Sequence, residues 1–100
     1  MARQIKSLVT IPWPNEEISE NFTFSAIDGD GVFTFHFKWI NDRWNCWIDM
    51  PDGTTRQAGV YPNVLSWSQF LDYSLIFMTD LTQIDYNHLF MTEINLVKWQ

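Results

Sequence analysis

Between residues 31 and 50, large apolar side chains fall on every second position: Phe33, Phe35, Phe37 and Trp39, then Trp44, Cys46, Ile48 and Met50. Strict alternation marks strands with one face in a core. The same period starts at Phe22 and runs to Val60. Turn chemistry sets how the strands meet. A two-residue turn at Gly29-Asp30, glycine supplying the positive φ, places Ala26 opposite Phe33, Phe24 opposite Phe35 and Phe22 opposite Phe37. A second at Asn41-Asp42 places Trp39 opposite Trp44, Phe37 opposite Cys46, Phe35 opposite Ile48 and Phe33 opposite Met50. In "MPDGT", proline pre-sets the first corner and Gly53 takes the left-handed position of a three-residue loop, which pairs Cys46 with Ala58 and Trp44 with Val60. All three turns select one inward face, and a one-residue slip would expose the whole apolar row. Each buried phenylalanine stabilises by roughly 1.5–3 kcal/mol. The row is therefore scaffold, not a binding surface.

The flanks carry a weaker pattern. Residues 4 to 11 alternate as a strand, and Pro12 and Pro14 then interrupt any ladder, which favours an edge or a loop. After Val60, "YPNVLSWSQFLDY" is irregular with room for a helical turn. "SLIFMTD" and "EINLVKW" form two more strands, and "LTQIDYNHLF" between them holds a turn of helix started at Thr82. The expected fold is all-β and mainly antiparallel: a small barrel or sandwich of six to seven short strands with at most one or two short helical turns, in a single domain over residues 1–100.

Composition narrows the function classes. The chain has 100 residues, 46% of them apolar, enough for one core. A net charge of -6 with six scattered basic residues opposes a nucleic-acid footprint and an anionic membrane surface. There is no long apolar run for a membrane span, and "MARQIKSLVT" lacks a secretory h-region, so synthesis in a cytoplasm is expected. Cys46 is the single cysteine, a buried inert thiol, which leaves no internal disulfide and no cysteine zinc site. Asn21-Phe22-Thr23 matches the glycosylation pattern by chance.

Catalytic groupings are sought and not found, so no enzyme activity, metal or cofactor is expected. His36 faces outward with Thr34 and Lys38, His88 lies in the late turn, and neither has a third ligand or nucleophile at hand. Glu16, Glu17 and Glu20 cluster in a loop without the regular spacing of a calcium loop and form a solvated acidic face. The stretch Asp28 to Gly31 precedes a strand, so it is a hairpin turn and not a phosphate cradle. Asp49 faces outward, where Arg56 across the next strand is its expected partner, worth about 0–1 kcal/mol if exposed. Three tryptophans have no place in the predicted core. Trp47 must point away from Cys46 and Ile48, Trp13 sits between prolines, and Trp67 lies in the irregular segment. Tryptophan is enriched at protein contacts, so Trp13, Trp47 and Trp67 are the candidate subunit-contact residues. Burial within the monomer is the plain alternative, and stacking of sugar rings the competing function.

The order of segments, from "LVTIPWPNEEISENFTF" through "FSAIDGDGVFTFHFKW" and "RWNCWIDMPDG" to "IDYNHLFMTEINLVKW", resembles the baseplate plug family of contractile-tailed bacteriophages over nearly the whole chain. Its most specific parts are the tryptophan followed by "WIDM" before an Asp-Gly turn, and the closing strand. Where that family often has a glycine-rich stretch before the penultimate strand, this chain has "SQFLDYS". The resemblance implies a non-enzymatic virion component, a plug or hub-region subunit near the tail axis. Its partners would be other baseplate and tail proteins (hub, spike, tube), with several copies in a symmetric ring. It would reside in the virion tail baseplate, and in the host cytoplasm during assembly. A carbohydrate-binding β domain using the exposed tryptophans is the alternative, and a small inhibitor or adaptor of host enzymes a third.

Overall fold

The computed structural model describes residues 4–68 and 71–100. It is mainly antiparallel β, in two sheets. β2 (Asn21–Asp28), β3 (Gly31–Ile40), β4 (Arg43–Asp49) and β5 (Thr55–Gly59) form one sheet in chain order. β1 (Ile5–Ile11), β7 (Glu93–Trp99) and β6 (Tyr73–Met78) form the other, with β7 in the centre.

In the four-stranded sheet the pairings follow the alternation: Phe22 with Phe37, Phe24 with Phe35, Ala26 with Phe33, then Phe35 with Ile48, Phe37 with Cys46, Trp39 with Trp44, and Cys46 with Ala58. Two expected pairs fall beyond the ladder ends. Strands β3 and β4 part after Thr34 and Asp49, so Met50 does not pair with Phe33; its N–H donates to the Thr54 carbonyl at 2.8 Å. The β4–β5 ladder ends at Asn45 and Gly59, short of Trp44 and Val60. Met50 and Val60 are buried all the same.

The turns differ in one respect from expectation. The positive φ of the first hairpin falls on Gly31 (129°), not on Gly29, and the Asp28 side chain closes the turn by accepting the Asp30 N–H at 2.7 Å. Glycine is needed at position 31 twice over, because a Cβ there would meet Pro51 Cβ at 3.1 Å. Asn41 and Asp42 both hold positive φ (54° and 58°), the geometry that a tight hairpin of right-handed twist demands. Gly53 takes φ 90° and its N–H donates to the Met50 carbonyl, as the proline-led loop requires.

The three-stranded sheet supplies the opposing inner rows, Val9–Leu96–Leu75 and Ile11–Ile94–Phe77. Phe33, Phe35, Phe37, Ile48, Leu75, Phe77, Ile94 and Leu96 are sealed between the sheets. The helical element is a 3-10 helix at Tyr86–Met91, capped by Asp85, three residues later than the start expected at Thr82. Fully buried Leu89 anchors it, and the Asp85 carbonyl accepts both the His88 N–H and the Trp44 indole N–H. Among the described residues no helix is long and apolar enough to cross a membrane.

After Val60 the chain is irregular but not idle, and no helical turn occurs among its described residues; Gln69 and Phe70 lie outside them. Pro62 bridges to Phe77 and Ser66 to Leu75, along the free edge of β6. Ser66 Oγ accepts the Gly59 N–H on β5 at 3.1 Å. This segment therefore clips the edge of one sheet to the edge of the other.

Candidate functional site

With no enclosed catalytic pocket suggested by sequence, the candidate sites are surfaces, and the two sheets offer different ones. On the outer face of the four-stranded sheet the ladder places Thr23, His36, Trp47 and Gln57 in one cross-strand row. Trp47 is half-buried in that row, on the opposite side from fully buried Cys46 and Ile48. His36 Nε2 lies 2.7 Å from Asp49 Oδ2, and His36 Nδ1 lies 3.2 Å from Thr23 Oγ1. A carboxylate only accepts, so Nε2 carries the proton, and in the neutral ring Nδ1 accepts from the Thr23 hydroxyl. Thr55 Oγ1 donates to the other Asp49 oxygen at 2.7 Å. The hydrogen bonds from His36 and then Thr55 hold the Asp49 carboxyl below its ordinary value.

Asp49 thus pairs with His36 and Thr55, not with Arg56. The register explains the difference: Arg56 is paired with Ile48 and shares its inward side, so its side chain runs beneath the sheet edge. There Arg56 Nη2 meets Asp72 Oδ1 at 2.7 Å, and the guanidinium lies 5.2 Å from the Trp67 ring centroid. The hydroxyl–imidazole–carboxylate order at Thr23, His36 and Asp49 has the connectivity of a nucleophile relay. It lies on an open sheet face, among none of the residues that line the grooves at Trp13, Pro51 or Lys98, and it cross-links three neighbouring strands. Sequence reasoning missed this chain, although its own register already set Thr23 against His36.

Trp13 and Trp67 have different surroundings from Trp47. The Trp13 ring lies against Phe24, Phe37 and Phe90, with centroids 5.8, 5.4 and 5.0 Å away, and its indole donates to the Thr92 carbonyl at 2.7 Å. It covers one side of the core from the β1–β2 connection. Trp67 adopts φ 68°, a costly conformation for a large residue. The strain is held by its indole donating to the Gln57 carbonyl, by Arg56 over its ring, and by the Ser74 hydroxyl donating to its own carbonyl. The structure does not bring the three tryptophans together.

The outer faces of both sheets carry exposed apolar side chains: Ile27, Val32 and Ile40 on the four-stranded sheet, and a second set on the three-stranded one. Ile5 and Leu8 on β1 are 54% and 57% exposed, and Met78 on β6 is 45% exposed. Beneath them Asn95 is 1% exposed, with its amide oxygen accepting from Thr10 Oγ1 and its amide nitrogen donating to Glu93 Oε1. Buried Ser74 accepts the Trp99 indole N–H at 2.8 Å. Among the described residues the edge of β1 away from β7 takes no backbone hydrogen bond, and the same holds for the edge of β2 away from β3.

The sheets are also joined by an ionic cluster at the β2–β3 turn. Lys98 Nζ lies 2.8 Å from Asp30 Oδ2 and 2.9 Å from Asp28 Oδ2, and the Tyr73 hydroxyl donates to Asp30 at 2.6 Å. Lys98 lowers the Asp30 carboxyl first and Tyr73 second, while the Asp30 bond raises Lys98. Burial and then the bond to Asp30 raise the Tyr73 phenol. Nothing local in sequence signals this cluster, because residue 98 is some seventy positions from its partners. Burial alone raises the Cys46 thiol, which keeps it protonated. Among the described residues no three His, Cys, Asp or Glu side chains converge as a metal site would need. No family model matches the chain, and no curated protein or solved structure matches it.

Proposed function

We propose that the chain is a structural subunit of a contractile phage tail baseplate, a plug or hub-region part that packs against hub, spike or tube proteins near the tail axis. The observation that carries the reading is the unfinished flank of the sandwich: two unpaired strand edges, β1 and β2, beside exposed Ile5 and Leu8. Free monomers usually protect such edges with charge, proline or a covering segment, and a neighbouring subunit does the same in an assembly. A ring of copies around the axis would repeat the contact by rotation. The segment order that resembles the baseplate plug family supplies the identity of the assembly.

The test is co-expression with the adjacent tail proteins. The double variant Ile5→Lys with Leu8→Lys should fold yet fail to enter the baseplate, while Trp47→Ala should assemble normally. Complete baseplates built from the double variant would remove this flank as the contact.

A second reading is favoured by one arrangement, the cross-strand row in which Trp47 lies between His36 and Gln57. A flat indole beside hydrogen-bonding side chains suits a sugar ring. If the chain binds carbohydrate, host surface glycans should saturably perturb tryptophan fluorescence and Trp47→Ala should abolish the response. Under the assembly reading, glycans do nothing.

A further inference from the structure

One further cavity lies away from the Trp47 row and takes the last residues of β1, Thr10 and Ile11, into its wall. It is a groove of about 770 Å³ at the end of the sandwich where β1, the loop after β6 and the end of the 3-10 helix meet. That volume falls within the roughly 300–1,000 Å³ typical of binding clefts. Its lining includes Trp13, Asn63, Met78, Asp80, Met91 and Glu93. The walls are set in advance. Asn63 donates from Nδ2 to the Thr79 carbonyl at 2.7 Å and accepts the Thr79 N–H at 3.1 Å, and the Thr79 hydroxyl accepts the Leu81 N–H. On the other side the Trp13 indole is tied to Thr92. A groove whose walls are already ordered loses little entropy on filling.

Two features of the lining point to its occupant. Met91 is 67% exposed and Met78 45%, flexible thioethers of the kind that adapt to varied apolar side chains. Asp80 and Glu93 stand exposed beside them, and among the described residues neither forms an ion pair. A second copy of the chain, at net charge -6, is a poor match for these carboxylates. We infer that the groove receives an extended segment of another protein in which an apolar side chain is flanked by lysine or arginine. The apolar side chain would lie between Met78 and Met91, with the cation against Asp80 and Glu93. The inference deepens the assembly reading and relies on it only for where such a partner is met.

The experiment uses the isolated chain with methyl-labelled methionines and follows their NMR signals, together with that of the Trp13 indole. The probes are the capped tetrapeptide Leu-Arg-Leu-Arg and its Leu-Gln-Leu-Gln and Leu-Glu-Leu-Glu counterparts. The cationic peptide should shift Met78, Met91 and Trp13 saturably and leave buried Met50 unmoved, and the other two should bind at least tenfold more weakly. The pair Asp80→Asn and Glu93→Gln should weaken the cationic peptide at least tenfold without changing the melting temperature. Glutamine at position 93 can still accept the Asn95 bond. Equal binding of all three peptides, no saturable shift, or an unaffected double variant would each overturn the inference. Any of these would leave the co-expression result on the β1 flank standing.

Discussion

The two flanks of the sandwich are finished in different ways. Between β5 and β6 the gap is closed by residues 60–68, which bond to both edges: Ser66 to Gly59 and Leu75, Asn63 to Phe77, and the Trp67 indole to the Gln57 carbonyl. Those bonds are mostly neutral, with Arg56–Asp72 the ion pair at the rim. Between β1 and β2 the connection covers the core with side chains, Trp13 and Ile18, and among the described residues neither outer backbone edge takes a backbone hydrogen bond. The ionic cluster of Lys98 with Asp28 and Asp30 ties the β2–β3 turn to β7 and, through Tyr73, to β6. The flank left open is the one available to a partner.

Phe35 lies between the two flanks, fully buried, and calibrates the comparison. Phe35→Ala should cost about 3–5 kcal/mol in chemical denaturation, as core phenylalanine truncations do, and should loosen both flanks together. A loss below about 1 kcal/mol would contradict the shared core. Trp67→Ala should come next. The ring is half-buried, so about 2–3 kcal/mol is expected, less than for a fully sealed tryptophan. Hydrogen exchange should show the loss first at Gln57, Gly59 and Leu75. Protection unchanged at these amides would mean the clip does not close that flank.

How much of this was legible in the sequence also divides by region. The four-stranded sheet was read nearly pair by pair, because β2 to β5 are joined by short turns whose residues dictate register: Asn41-Asp42 with two positive φ values, and Pro51 to Gly53 with a bulge. The strands of the other sheet were found, but nothing in their pattern announced that β7 would lie between β1 and β6. Their partners are distant in the chain, with Ile5 paired to Trp99. The expected Asp49–Arg56 pair fails on the register that the turn itself dictates, which sets Arg56 opposite inward-facing Ile48. The clip at Pro62 and Ser66 was illegible. Isolated bridges and a left-handed tryptophan have no periodic signature.

Acidity should separate the ionic cluster from the neutral clip at residues 60–68. Asp30 titrates below its ordinary 3.8 in the folded protein, chiefly through Lys98. A lowered carboxyl contributes stability that is present above the unfolded value and lost as pH falls through the folded one. Lys98 and Tyr73 are raised above their ordinary 10.5 and 10.0, so their contribution is complete below about pH 10 and lost as pH rises through the raised values. Amides of the β2–β3 turn should therefore lose protection below about pH 4 and above about pH 10, before those of Gly59 and Ser66 in the clip. Asp30→Asn should flatten the acid limb. Simultaneous loss at Gly59 and Ser66 would show that the ionic cluster and the clip do not open separately.

The smallest effect on stability is expected where the effect on assembly is largest. Leu8 sits on the outer face of an edge strand, 57% exposed, opposite Val97 in the ladder. Replacing it by lysine removes little buried area and keeps a residue that edge strands tolerate well, so Leu8→Lys should move the unfolding free energy by no more than about 0.5 kcal/mol. The same change puts a charge at the centre of the unfinished flank, where a partner strand or apolar face would have to desolvate it. The melting curve should be unchanged while, under the proposed baseplate role, incorporation into the assembly falls steeply. A marked drop in melting temperature would mean that Leu8 already has a covering contact within the monomer. The flank would then be as complete as the one closed by residues 60–68.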